Sequence, residues 1–141
     1  MKPKTVSLET AKALQEAGIE VESYFVHVYN TIVKRSNVYV ASMEISEKVR
    51  SSFILVKYPA PQFEELAERL PTSLQRQPVF KTSYNPTLAF YHREREVDCS
   101  YDFAEEICYL EAFHIETADT PSDAAAAMLI WLKENGHLED K

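Results

Sequence analysis

Apolar positions along this chain follow two rhythms, one helical and one alternating. From Ser7, a residue suited to capping a helix start, Leu8, Ala11, Leu14 and Ala17 recur at helical spacing up to Gly18, which suits the left-handed residue past a helix end. This predicts a helix over 7–17, its narrow stripe marking a surface position. Between Pro61 and Pro71, Phe63, Leu66, Ala67 and Leu70 repeat at i, i+3, i+4 and i+7, which predicts a second helix over 61–70 with Pro61 in its first turn. Thr120, Pro121 and Asp123 read as N-cap, first helical position and first-turn anion, and Gly136 as the stop, so a third helix is expected over 121–135. Its wide stripe, Ala125, Met128, Leu129 and Leu132 flanked by Ala124 and Trp131, predicts the main lid over the core. Leu138 is expected to fold back on it, and Phe63, Leu66 and Leu70 to form a second packed patch.

Elsewhere β-branched and aromatic residues cluster, and proline is rare within the clusters. Strands are expected over Val21–Tyr29, part of Thr31–Ser42, Ser52–Tyr58, Val79–Tyr84, Thr87–His92, Val97–Tyr101 and Tyr109–Thr117, with Asn85-Pro86 as a break. Asp102–Cys108 reads as a turn entering a strand. Helices at the start, middle and end, with runs of short strands between them, imply an α+β fold with a mainly antiparallel sheet, because parallel units would alternate regularly with helices. The 141 residues suit a single domain over 1–141, and the YPAP stretch at Tyr58–Pro61 offers a hinge as the alternative.

Charge changes the picture more than composition does. The formal charge of −7 comes from 22 acidic and 15 basic residues and argues against a surface that neutralises duplex phosphates. It divides unevenly: residues 1–93 carry 12 basic and 9 acidic residues, net +3, and residues 94–141 carry 3 basic and 13 acidic, net −10. The acidic half either keeps the domain soluble or attracts a basic partner. The second reading requires Glu94, Glu96, Asp98, Asp102, Glu105, Glu106, Glu111, Glu116 and Asp119 to share one exposed face. No apolar run is long enough to span a membrane, the start lacks the apolar stretch of a signal peptide, and two cysteines fit a reducing compartment, so a cytoplasmic protein without membrane contact is expected.

The richest polar region is 92–119. His92, Cys99, Cys108 and His114 offer imidazole and thiolate ligands, but gaps of 6, 8 and 5 residues match no compact zinc motif; the bland reading makes the cysteines small buried hydrophobes. Paired carboxylates such as Glu94 and Glu96 would need distinct environments to divide acid and base roles. No G-x-S-x-G elbow, H-E-x-x-H, P-loop or C-x-x-C is present, so no catalytic residue and no cofactor is assigned. In the first half, Tyr24, Phe25, Tyr29, Tyr39, Phe53 and Tyr58 interleave with Lys34, Arg35, Lys48, Arg50 and Lys57. That pattern suits either a single-stranded nucleic-acid platform or rings in the core with lysines at sheet edges. Candidate protein-binding residues are Glu105, Glu106, Glu111 and Trp131, since tryptophan anchors interfaces as readily as it fills cores.

SLETAKALQEAG (Ser7–Gly18), YPAPQFEELAERLP (Tyr58–Pro71) and the AAAAMLIWLKENGHL ending (Ala124–Leu138) resemble a group of small proteins of bacterial prophages and mobile elements. The resemblance covers the helices and leaves Ile19–Lys57 unmatched. It implies a setting and carries no reaction and no catalytic residues. The strand-then-helix order Tyr109–Trp131 is also similar, in fold alone, to the small sheet domain of HicB-type antitoxins. The expected function is therefore a non-enzymatic accessory module that binds a host or phage protein, with a homo-oligomer left open. The alternatives are a metal-dependent enzyme using 92–119 or a single-stranded nucleic-acid binder using 21–58.

Overall fold

A computed structural model describes residues 4–40, 55–74, 86–104 and 110–138. Among these the chain forms α1 (Leu8–Glu16), β1 (Phe25–Asn30), β2 (Arg35–Val40), β3 (Leu55–Pro59), α2 (Phe63–Ala67), β4 (Thr87–His92), β5 (Val97–Ala104), β6 (Leu110–Ala118) and α3 (Pro121–Glu134). The fold is α+β and every strand pair is antiparallel. The strands make two three-stranded sheets, β2-β1-β3 and β4-β5-β6, where a single sheet was expected. The first closes where β3 runs into Pro59, Ala60 and Pro61, since proline has no N–H with which to continue a ladder.

Helix ends follow the local chemistry of the sequence. The Ser7 side chain accepts from the Thr10 N–H, the Thr120 side chain accepts from the Asp123 N–H, and Gly18 and Gly136 sit at φ 72° and 73° past their helices. Helix α2 is shorter than the pattern over 61–70 predicts. Gln62 is its cap, its N–H donating to Glu65 Oε1 at 2.8 Å, so Pro61 lies outside the helix; Arg69 and Leu70 close tighter turns onto Leu66 and Ala67 instead of extending it.

Helix α3 packs on β5, β6, α2 and α1, and buries Met128, Leu129 and Leu132 almost completely. Leu66 and Leu70 are buried in this same cluster, with Phe63 packed against it, so the expected second patch is continuous with the first. Strand β5 supplies the facing wall through Val97, Cys99 and Tyr101. It runs straight through Asp102, Phe103 and Ala104, where a turn was expected; 105–109, which include Cys108, lie outside the described residues, as does the expected strand over 79–84. Strand β1 begins only at Phe25, four residues later than its apolar alternation predicts, and that difference creates the site described next.

Candidate functional site

Ala11 and Leu14, one turn apart on α1, are 2% and 4% exposed and form one wall of a groove. Gly18 then turns the chain, and the Ile19 N–H donates back to the Leu14 carbonyl at 3.0 Å. Beyond it the segment keeps the period-two burial of a strand: Ile19 and Val21 buried, Glu20 and Glu22 exposed. Pro59, Pro61 and Arg69 close the far side, and Gln15 stands exposed at the rim. The groove has a volume of about 580 Å³.

Among the described residues, side chains rather than a neighbouring strand hold this segment in place. Lys133 Nζ donates to the Gly18 carbonyl at 2.9 Å, Arg69 Nη1 donates to the Glu20 carbonyl at 2.6 Å, and the Tyr24 N–H donates to Glu65 Oε2 at 3.0 Å. Glu65 thus spans two elements, since its other oxygen caps α2. Arg69 keeps its positive charge while bonded to the neutral Glu20 carbonyl, and neither the Glu20 nor the Glu22 carboxylate makes an ion pair among the described residues. Sequence reasoning missed these residues as a site. The alternation that marks them was visible, and it indicates a strand without indicating that no partner strand flanks it among the described residues.

The residues singled out from sequence lie elsewhere and do not converge. Cys99 is fully buried beneath α3; burial, and then the charge of Glu116, push its thiol up to about 12, which holds it protonated and unreactive. His92 is exposed at the end of β4. His114 is half-buried, stacked on Trp131 and bonded through Nε2 to Glu116 at 2.8 Å. Cys108 falls outside the described residues, and among those described no three His, Cys, Asp or Glu side chains stand close enough to hold a metal ion.

The carboxylates of the C-terminal half do not share one exposed face among the described residues. Asp98 and Asp102 are 4% and 5% exposed on the face of β5 opposite Cys99 and Tyr101. Asp98 accepts from Thr117 at 2.7 Å and pairs with Arg93 at 2.9 Å; Asp102 accepts from the hydroxyls of Ser100 and Tyr91. These bonds satisfy the buried anions inside the fold, so those carboxylates are not a recognition surface. That hydrogen bond to Asp102 also raises the Tyr91 phenol above its ordinary range. Glu94 and Glu96 are exposed in the β4–β5 turn beside Arg93 and Arg95, while Glu105, Glu106 and the Glu111 side chain lie outside the described residues.

Trp131 is no free anchor. It is half-buried, with the His114 and His137 rings stacked on it at 3.7 and 5.3 Å. In the first sheet, Lys12 Nζ lies 4.5 Å from the Tyr29 ring and 5.7 Å from the Tyr58 ring, so α1 covers two of the rings considered for stacking bases. Tyr24 and Tyr39 are exposed; Phe53, Lys48 and Arg50 lie outside the described residues.

No protein-family model, curated protein or solved structure matches this chain. No described helix is long and apolar enough to cross a membrane.

Proposed function

We propose that this chain is a non-enzymatic binding module that docks another protein in the groove between α1 and residues 18–22, as an accessory protein of a prophage or mobile element. The setting rests on the resemblance of the three helical segments. The docking reading rests on one observation, a cleft of about 580 Å³ whose apolar walls belong to the folded core and whose rim is polar. That is the anatomy of a binding site, apolar inside with a few orienting polar groups at the edge.

The test is a rim substitution that fills the groove from outside the core. Gln15 is exposed and lines the groove, so Gln15→Trp is expected to leave the melting temperature unchanged while abolishing retention of the partner that the tagged full chain captures from host cells. Val33→Ala, at the exposed β1–β2 turn, serves as control and is expected to retain it. A partner held equally by wild type and Gln15→Trp would overturn the groove as the docking site.

A further inference from the structure

The Ile19–Ser23 segment behaves as a strand in its side chains and not in its backbone. Burial alternates along it, yet among the described residues it belongs to no ladder. In a strand, the backbone groups of alternate residues point to the same side. On the side carrying Ile19, Val21 and Ser23, only the Ile19 N–H has a backbone partner, the Leu14 carbonyl. The Ile19 carbonyl, the Val21 N–H and carbonyl, and the Ser23 N–H make no hydrogen bond with the described residues. That leaves four successive ladder positions unfilled among the described residues, beside a groove that the same segment lines. Unpaired strand edges are templates for strand addition.

We infer that the groove takes an extended segment of the partner that adds as a strand to Ile19–Ser23, with the residue order basic–apolar–basic. The inference rests on the groove being the docking site and deepens that reading. Its side-chain preference follows from the pleat. The partner residue opposite Val21 shares Val21's inward face and meets the apolar groove, and its two neighbours share the outward face of Glu20 and Glu22. Both glutamates are exposed, and neither carboxylate makes an ion pair among the described residues. Lysine or arginine at those two positions therefore completes the charge, and the backbone bonds give affinity without further sequence demands.

The experiment titrates the full-length chain with the synthetic peptide acetyl-Lys-Val-Lys-Val-Lys-Val-Lys-amide and follows backbone amide exchange. Saturable binding is expected, with new protection at the Val21 and Ser23 amides. Glu20→Gln with Glu22→Gln is expected to weaken binding about tenfold at low salt, a gap that closes at high salt as exposed charges are screened. Gln15→Trp is expected to abolish binding, and the analogue with Glu in place of Lys to show none. Absence of saturable binding, or binding without protection at Val21, would overturn the strand inference. So would a dimer of this chain that Gln15→Trp dissociates without peptide, which would give the groove to a second copy. If the natural partner is still lost with Gln15→Trp while the peptide fails, the groove stands as the docking site and only the strand mode falls; if Gln15→Trp affects neither, both fall.

Discussion

The imidazole of His114 lies flat on the indole of Trp131, ring centroids 3.7 Å apart and planes 10° from parallel. The pairing of β5 with β6 explains how the contact arises. Tyr101 faces His114 and Asp102 faces Ala112, so Phe113 is an extra residue in β6. The bulge lets two consecutive residues approach the same helix: Phe113 meets Trp131 edge-on at 5.9 Å while His114 stacks on it. Trp131→Ala removes the ring that both contact. The ring is only half-buried, so the expected loss is about 2 kcal/mol, below the roughly 3–5 kcal/mol of a fully buried aromatic, measured by chemical denaturation.

His137 also stacks on this indole, at 5.3 Å, and burial lowers its pKa below the ordinary imidazole range. A lowered folded pKa means that the fold favours the neutral ring. The stability contributed by this residue is therefore complete above the unfolded imidazole pKa and is lost as pH falls through the folded value. Wild type is expected to lose stability between about pH 7.5 and about pH 5 more steeply than His137→Phe, which keeps a stacking ring and cannot protonate. Parallel slopes for the two proteins would remove His137 from the acid response.

Cys99 is expected to be silent until the chain unfolds. Its thiol, pushed up to about 12 and fully buried, has almost no thiolate at neutral pH and no access for a reagent. In a Cys108→Ser background, alkylation by iodoacetamide should track the unfolded fraction along a denaturant series. Fast labelling of the native protein would contradict the placement of Cys99 beneath α3.

Leu132 and Val33 calibrate core against surface. Leu132 is 0% exposed on the buried face of α3, and Leu132→Ala is expected to cost about 2–5 kcal/mol. Val33 is 57% exposed in a turn that the Asn30 side chain stabilises by accepting the Ile32 and Val33 N–H groups. Its truncation is expected to fall within about 0.5 kcal/mol of neutral.

Those two residues also mark where the sequence was legible. Periodicity and capping identified α1 and α3 nearly to the residue, because Ser7, Thr120 and the two glycines report the backbone state of their own neighbours. The strands were recognisable as strands, since alternation is likewise local. Sheet membership was not, because it depends on which distant strands meet, and nothing in Val56 or Tyr91 states its partner. The groove failed for a related reason: Ile19–Glu22 reads as a strand, and an unfilled ladder is a property of what does not pair with it. The acidic half misled most. Charge counting cannot see that Asp98 and Asp102 turn inward to Thr117, Arg93, Ser100 and Tyr91.

Gly18 joins the fold to the groove, and its substitution separates two costs. Gly136 and Gly18 share the left-handed conformation, at φ 73° and 72°, but differ in surroundings. A Cβ on Gly136 meets nothing within 4 Å, so Gly136→Ala reports the backbone penalty alone, about 1 kcal/mol after the unfolded chain's lost freedom is offset. A Cβ on Gly18 falls 3.1 Å from Lys133 Nζ, the same ammonium that donates to the Gly18 carbonyl. The lysine end is flexible and can withdraw, giving up that hydrogen bond. Gly18→Ala is therefore expected to cost more than Gly136→Ala, by about the 0.5–1.5 kcal/mol of one such bond. In a Lys133→Ala background the bond is already absent, so the excess should vanish and the two glycine substitutions should become equal. An excess that persists without Lys133 would mean that Gly18 is constrained by the groove-lining backbone itself, and Gly18→Ala would then also disturb the exchange of the Val21 amide.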